Sequence, residues 1–251
     1  MSRPVTARHH ATGRRRRRWW PAAAIALVSL AALAVGPGGV ARATAGAIDQ
    51  VLGPTAFQGP LPACTIGDRP APNATLDDWD RTLLDTEYAL DRDYAPTDLV
   101  PVSESGTRGA GSVRALVVLD LEALGYAARK AGIELSVESA YRDYDAQRRT
   151  FESLVAAYGR EFALESAGRP GHSEHQLGTT LDFAGHEGWL ADNAWRFGFV
   201  LSYPEGSSPA RTCYKAESWH YRYFGRERAA AIHASGLSPR EWLWEHANKE
   251  R

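Results

Sequence analysis

The sequence lacks several motifs on which major classes of hydrolase and metal-binding protein depend. Its 251 residues include only two cysteines, Cys64 and Cys213, and no Cys-x-x-Cys pair. No His-Glu-x-x-His is present, because Gly-Trp-Leu follows His186-Glu187, and Ser-x-x-Lys and Gly-x-Ser-x-Gly are absent too. These absences disfavour a serine-type carboxypeptidase and a metal site built from cysteines.

Acidic residues are absent from residues 1–45, which hold eight arginines. A basic run at 14–18 precedes an apolar stretch over 19–35, and a small-residue site follows at Ala43-Thr-Ala45. This order is typical of a secretory signal, and it also permits twin-arginine export. An uncleaved membrane anchor is the alternative, since residues 19–41 carry no charge and nearly reach the roughly 20 residues of a spanning helix. We expect an exported protein, located outside the cell, in the cell wall or on the outer face of the cytoplasmic membrane.

Basic residues are in deficit over the rest of the chain. Subtracting the eight arginines from 29 basic residues leaves 21 against 30 acidic residues, a charge of about −9. Because such a surface does not favour phosphate backbones, we expect no nucleic-acid partner. We expect a monomer that contacts the membrane only through the N-terminal segment, if that segment is uncleaved.

The chain divides into three parts by composition. Residues 46–74, rich in Pro, Gly and Ala without a period, are predicted to be a linker or a loose wrap, and residues 75–251 are long enough for one domain. In an exported chain, the two cysteines are most simply interpreted as one disulfide. The bond would join the N-terminal segment to a strand that leads into Glu217.

Hydrophobic periodicity predicts an alternation of helices and strands. Helices are expected from Thr75 through Leu84, over Ser112–Lys130, over Tyr144–Tyr158, over Arg226–Ala234 and from Ser238 onward; strands are expected over Ile133–Glu138, Thr179–Phe183, Gly198–Tyr203 and Trp219–Tyr223. Within the last strand, alternation places His220 and Arg222 on one face. Glu217 would then point away from His220 unless the chain bends between them.

His175, Asp182 and His220 are the residues that indicate metal chemistry. Two imidazoles and a carboxylate are a sufficient ligand set for a catalytic zinc ion with one open position. Glu217 lies near the last of them in sequence and is a candidate proton acceptor. His172 is the rival of His175 as a ligand, and the residue types alone do not choose between the two.

Five segments in a fixed order carry a resemblance to a known family. They are Tyr94-Ala-Pro-Thr-Asp-Leu-Val100, Ser139-Ala-Tyr-Arg-Asp-Tyr-Asp-Ala-Gln147, Pro170-Gly-His-Ser-Glu-His-Gln-Leu-Gly178, Gly198-Phe-Val-Leu-Ser-Tyr-Pro204 and Trp219-His-Tyr-Arg-Tyr-Phe-Gly225. Together they resemble the VanY-type zinc D-Ala-D-Ala carboxypeptidases, a family that includes L,D-carboxypeptidases of peptidoglycan. The chain departs from the family pattern at Ser218, where proline is usual, and at Thr179 and Thr180, where small apolar residues are usual.

The resemblance implies an α+β domain in which a small, mainly antiparallel sheet carries the zinc ligands, with helices on its flanks. It implies that His175, rather than His172, is the ligand beside Asp182 and His220. It further implies that Glu217 shuttles the proton, and that Arg142 grips a carboxylate or a developing oxyanion. Gln147 and Ser173 would bind the substrate by hydrogen bonds.

The activity implied by the resemblance is zinc-dependent removal of the C-terminal D-alanine from peptidoglycan stem peptides. An L,D-carboxypeptidase or an endopeptidase acting on the same stems is the alternative. A non-catalytic, wall-binding zinc module is a more distant one, which Glu217 disfavours because a structural zinc needs a fourth ligand and no proton shuttle.

Overall fold

The computed structural model describes residues 60–246. The expected signal or anchor at residues 1–45 lies outside this range, and so does the first half of the 46–74 segment. Between residues 60 and 246, none of the helices combines the length and the apolar character needed to cross a membrane.

Short strands and helices alternate along the described chain. The strands are β1 (Arg69–Pro70), β2 (Tyr88–Ala89), β3 (Leu99–Pro101), β4 (Arg108–Gly109), β5 (Ser112–Arg114), β6 (Ser136–Ser139), β7 (Thr180–Phe183), β8 (Phe199–Leu201) and β9 (His220–Tyr223). The helices are α1 (Val118–Lys130), α2 (Tyr144–Tyr158), α3 (Arg160–Ser166), α4 (Glu187–Asn193), α5 (Pro209–Thr212), α6 (Arg226–Ser235) and α7 (Pro239–His246). Short 3₁₀ helices lie at Leu76–Asp78, Val102–Ser105, Ala115–Val117, Glu174–Leu177 and Ala194–Phe197.

A five-stranded sheet in the order β4-β6-β7-β9-β8 forms the centre of the fold. Its pairings are antiparallel except for the parallel pair β4 and β6. The remaining strands form two small pairs, β1 with β2 and β3 with β5. The α+β class with a mainly antiparallel sheet is thus confirmed, with one parallel edge that the sequence did not indicate.

Two apolar clusters pack around this sheet and the helices beside it. One cluster joins α1 to β7, β8 and β9, and includes the fully buried Leu121, Leu181 and Phe199. A second cluster joins the segment around Leu83 to α6 and α7 through Ile232 and other buried residues. Full burial of a Leu, Ile or Phe side chain contributes about 1.5–3 kcal/mol, so the two clusters stabilise the fold around the sheet.

The segment before residue 75 packs on the domain. β1 pairs in parallel with β2, and the guanidinium of Arg169 donates to Asp68 Oδ1 (2.6 Å), Gly67 O and Thr86 O. Cys64 forms a disulfide with Cys213, with a Cα–Cα distance of 5.3 Å, so the predicted pairing is confirmed. The expected strand before Glu217 is wrong, because Cys213 follows the short helix α5 and leads into irregular chain.

The helix expected from Thr75 through Leu84 is wrong. Only Leu76–Asp78 forms a 3₁₀ turn, in which the Thr75 hydroxyl donates to Asp78 Oδ2 (2.6 Å). Leu83 and Leu84 are buried in the second core cluster by an irregular segment, so their helical spacing is coincidental. Tertiary burial accounts for this pattern of apolar residues without a helix.

The helix expected over Ser112–Lys130 is right only from Val118 onward. Its first residues form β5, which pairs with β3, and then a 3₁₀ turn. The strand expected over Ile133–Glu138 is shifted to Ser136–Ser139. Those over Thr179–Phe183, Gly198–Tyr203 and Trp219–Tyr223 are confirmed in shortened form, as β7, β8 and β9.

Side-chain caps mark the starts of two helices that were expected from the sequence. α2 spans Tyr144–Tyr158 as expected, since the Asp143 side chain accepts a hydrogen bond from the amide of Ala146 (2.6 Å). At the start of α7, Ser238 and Glu241 form a capping box: Glu241 Oε2 accepts from the Ser238 amide (2.9 Å) and Ser238 Oγ from the Glu241 amide (3.4 Å).

Candidate active site

His175, Asp182 and His220 converge at one end of the sheet. Asp182 on β7 lies directly opposite His220 on β9 in the strand register, whereas His175 lies on the 3₁₀ helix before β7 rather than on the sheet, which corrects the expectation. His175 Nε2 is 3.1 Å from Asp182 Oδ2, and His220 Nδ1 is 3.1 Å from Asp182 Oδ1. One ligand atom from each of the three residues lies within 4.8 Å of the others.

The orientation of these atoms fits a metal ion better than direct hydrogen bonds. His175 Nε2 and Asp182 Oδ1 are buried, and among the described residues neither has a hydrogen-bond partner of good geometry despite the short distances. Buried polar atoms seldom remain unpaired in folded proteins. A cation bound between His175, Asp182 and His220 would give these buried atoms a partner, because each residue directs an electron pair toward the same point. Imidazole nitrogens and carboxylate oxygens are donors that zinc accepts.

The second nitrogen of each histidine has a fixed partner. His175 Nδ1 lies 2.6 Å from the carbonyl oxygen of Ala140, and His220 Nε2 lies 3.1 Å from Glu174 Oε2. Both contacts direct the other nitrogen toward the shared point, as metal-binding histidines require. Glu174 lies within the Pro170–Gly178 segment, but no expectation of this role came from the sequence.

Electrostatics also favour a positive charge at this point. Burial opposes the charge of Asp182, but the neighbouring His175 and His220 outweigh it and hold the pKa of Asp182 far below its usual range. Burial would lower the pKa of His220 as well, yet the facing carboxylates of Asp182 and Glu174 raise that pKa to about 10 in the metal-free site, so a metal ion would displace a proton from this ring when it binds. Burial lowers the pKa of His175 to about 4, which keeps that ring neutral and able to act as a ligand.

Glu217 reaches the same point because the chain turns just after it. The His220 amide donates to Glu217 O (3.2 Å), which closes a turn over Ser218 and Trp219, and the Glu217 amide donates to Tyr203 O (2.9 Å). Glu217 Oε2 is thereby placed 3.3 Å from His220 Nδ1. The chain therefore bends between Glu217 and His220, which the proton-acceptor role of Glu217 required. Burial, with a further contribution from Asp182, raises the pKa of Glu217 to about 7.

Arg142 is held against the cluster by side chains of its own segment. Its Nε donates to Gln147 Oε1 (2.8 Å) and its Nη1 to Ser139 Oγ (2.5 Å), and Nη1 lies 3.6 Å from Asp182 Oδ2. Gln147 is 1% exposed and donates to Gly168 O (2.7 Å). The guanidinium of Arg142 is therefore fixed in direction and only partly shielded from solvent, with 23% of its side chain exposed.

These groups line one cleft of about 190 Å³. Ser173 lies in its wall, where its Oγ accepts from the His175 amide (3.4 Å). His172 also lines the cleft, but its ring nitrogens lie 2.7 Å from Asp85 O and 3.1 Å from Asp68 Oδ1, so it has no free nitrogen for a metal. The cleft brings together every site residue expected from the sequence: Arg142, Gln147, Ser173, His175, Asp182, Glu217 and His220.

A pocket with three convergent metal-ligand side chains, a carboxylate of raised pKa and a fixed arginine defines a metal-dependent hydrolase site. Comparison with known proteins agrees. Residues 111–226 match the VanY family, D-alanyl-D-alanine carboxypeptidase. The chain is 35% identical over 141 residues to a D-alanyl-D-alanine carboxypeptidase of Enterococcus faecalis (strain ATCC 700802 / V583), covering 49% of this chain and 52% of that protein.

Solved structures give the same assignment. The LdcB LD-carboxypeptidase superposes with a TM-score of 0.60 at 30% identity, over 67% of this chain and 86% of that one. A VanY D,D-pentapeptidase from a VanB-type resistance cassette, in complex with Zn(II), superposes with a TM-score of 0.59 at 29% identity, over 66% and 99%. The chain belongs to the VanY family. It spans between 52% and 66% of the length of three curated relatives that it matches.

Proposed function

We propose that this protein is a zinc-dependent D,D-carboxypeptidase that removes the C-terminal D-alanine from peptidoglycan stem peptides. The convergence of the ligand atoms of His175, Asp182 and His220 beside Glu217 carries the proposal. A related VanY structure contains D-alanyl-D-alanine, which is the chemistry of such a stem terminus. Zinc held by these three residues would supply Lewis acidity and a water of lowered pKa.

Glu217 is the proton carrier in this proposal. Burial and the neighbouring Asp182 raise its pKa to about 7 before a metal ion binds, and a group that first accepts and then donates a proton works best when its pKa lies near the pH of the reaction. Its carboxylate faces the cleft beside His220 and can take a proton from water and deliver it to the leaving amine.

Arg142 is the substrate anchor in this proposal. A planar guanidinium can form two parallel hydrogen bonds with a terminal carboxylate. We assign Gln147 to the positioning of Arg142, because one end of its amide accepts from that guanidinium and the other donates to Gly168 O. Ser173 has its hydroxyl at the cleft wall and is the candidate for a hydrogen bond to the peptide.

An L,D-carboxypeptidase is the second candidate. It is favoured because the chain is as similar to the LdcB LD-carboxypeptidase as to the VanY D,D-pentapeptidase. The TM-scores are 0.60 and 0.59, and the sequence identities are 30% and 29%. The two activities differ in the configuration of the residue before the scissile bond. The same cleft would serve either.

Export is part of the proposal, since the substrate lies outside the cytoplasmic membrane. The signal-like residues 1–45 support it, as does the disulfide, because such bonds persist in oxidising compartments. The partners are then peptidoglycan stems, and nothing in the charge balance favours nucleic acid.

The test is product analysis with pentapeptide and tetrapeptide stems. Zinc-loaded protein should release D-alanine from the pentapeptide, activity should stop with a chelator and return with zinc, and Glu217→Ala should lower kcat by about 10²–10⁴-fold. Release from the tetrapeptide alone would select the L,D-activity. Binding of stems without any product would instead indicate a wall-binding module, and cleavage that survives both the chelator and the substitution would contradict the mechanism.

A further inference from the structure

Glu174 is a buried carboxylate directly behind the site; it lies within the family-like segment Pro170–Gly178, but the resemblance assigns it no role and the proposed reaction does not use it. Glu174 is 5% exposed, and its two carboxylate oxygens have different partners. Oε2 accepts from Ser202 Oγ (2.6 Å) and faces His220 Nε2 at 3.1 Å, while Oε1 accepts from Arg222 Nη1 (2.9 Å). A buried charge costs several kcal/mol unless it is paired and hydrogen-bonded, so an arrangement this complete constrains each of its members.

Arg222 fixes Glu174 from the far side. The arginine is fully buried on β9, and its Nη2 donates to the carbonyl oxygens of Trp79 (2.7 Å) and Thr82 (2.9 Å). Since Arg222 and His220 lie on the same face of β9, two residues apart, one carboxylate spans both. The ion pair thus ties the 79–82 segment, the 3₁₀ helix of His175 and the ligand strand together at a single side chain.

We propose that Glu174 is a positioning residue that sets the tautomer and ring direction of His220. With Nε2–H donated to Glu174, the lone pair of Nδ1 is left to face Asp182 and Glu217. His175 is held the opposite way: its Nδ1 contacts Ala140 O, and its Nε2 faces the shared point. The two histidines therefore present different ring nitrogens, each dictated by a separate partner. This inference rests on the proposed zinc site.

The wild-type protein tests the tautomers directly. Histidine labelled with ¹⁵N in the zinc-loaded protein should show His220 protonated at Nε2 and His175 protonated at Nδ1. If His220 carries its proton on Nδ1, the proposal is overturned, whatever any variant does. Failure of the wild-type protein to bind zinc would count instead against the proposed function, so the two failures are distinguishable.

Glu174→Gln tests how much the contact between Glu174 and His220 contributes to zinc affinity. Removing a partner of a metal-binding histidine usually costs 10–100-fold in metal affinity, so we expect zinc, measured by competition with a chromophoric chelator, to bind about 10–100-fold more weakly. The absorption bands of the cobalt-substituted protein should shift, which a purely structural role would not cause. Zinc affinity and cobalt bands equal to those of the wild type, with only a lower melting temperature, would reduce Glu174 to a fold-stabilising residue.

Two further variants serve as controls for Glu174→Gln. Glu152→Gln removes an exposed carboxylate on α2 that pairs with Arg148, and should leave zinc affinity and cobalt bands unchanged. Ser202→Ala removes one hydrogen bond from the Glu174 oxygen that faces His220 and keeps the ion pair with Arg222, so it should fold even if Glu174→Gln does not. A several-fold loss of zinc affinity in Ser202→Ala supports the proposal; unchanged affinity there, with no folded Glu174→Gln, counts against it.

Discussion

At the scale of the residue, the site depends on side chains that are each held by a second partner. Arg142 is one example, because Ser139 and Gln147 occupy one side of its guanidinium and leave the other toward the cleft. Burial acts to lower the pKa of this arginine, opposed by the charges of Asp182 and Glu217. A cation under these conditions binds an anionic group more strongly than an exposed one does.

Arg142→Lys tests whether this cation grips the terminal carboxylate. Lysine keeps the charge but loses the planar fork, so kcat/KM for the pentapeptide should fall by about 10–100-fold, the equivalent of one charge-assisted hydrogen bond. The matched control is Arg148→Lys, at an exposed arginine on α2, which should behave like the wild type.

An amidated pentapeptide separates the two roles of Arg142. The wild type should cleave the free acid much faster than the amide, and Arg142→Lys should lose most of that preference. If both enzymes favour the acid equally, Arg142 acts on the developing oxyanion instead of on the carboxylate.

At the scale of the element, the turn between the 3₁₀ helix of His175 and β7 determines where two of the three ligands lie. Gly178 ends that helix with a φ of +74°, its amide donates to His175 O (3.2 Å), and its carbonyl accepts from the Arg114 amide (2.9 Å). An added Cβ would lie 3.0 Å from Arg114 Cγ and 3.2 Å from Leu99 Cδ2. Both the positive φ of Gly178 and the lack of space for a Cβ require glycine at this position.

Gly178→Ala should therefore destabilise the fold and loosen the site together. A left-handed alanine costs about 1–2 kcal/mol, and overpacking adds about 1–3 kcal/mol. Gly132→Ala is the matched control, since Gly132 has a φ of +76° with nothing within 4 Å of the added Cβ, so only the first cost applies. Thermal unfolding with a chelator present measures both variants. Equal losses would show that crowding at Gly178 contributes nothing.

The limits of sequence-based prediction also appear at this scale. The bounds of α2 were predictable from the local sequence pattern, and the structure shows a local contact at its start, where the Asp143 side chain accepts a hydrogen bond from the amide of Ala146. His175, Asp182, Glu217 and His220 were predictable because their residue types and order form a recognisable family pattern. The role of Glu174 was not predictable, because its partners Ser202, His220 and Arg222 lie 28, 46 and 48 positions away in the sequence. Only the folded sheet brings them together.

At the scale of the whole molecule, the disulfide joins the N-terminal wrap to the chain that leads into the site. Cys213 packs with Tyr203 and Tyr214, and Cys64 contacts this cluster from outside. Because the Glu217 amide donates to Tyr203 O, the position of the catalytic candidate depends on the same cluster. Asp182 and His220 are held instead by the sheet and the core cluster packed against it, and His175 by the 3₁₀ helix that leads into β7.

Cys64→Ser should consequently reduce stability and turnover while leaving zinc content nearly unchanged. The cysteines are 149 positions apart, for which the chain-entropy description gives a stabilisation of about 5 kcal/mol. The melting temperature should fall, and kcat should fall at temperatures where the variant is still folded, because the segment before Glu217 becomes mobile first. The double variant Cys64→Ser/Cys213→Ser controls for the free thiol and should match the single one. Loss of zinc in parallel with turnover would show instead that the wrap supports the metal ligands themselves.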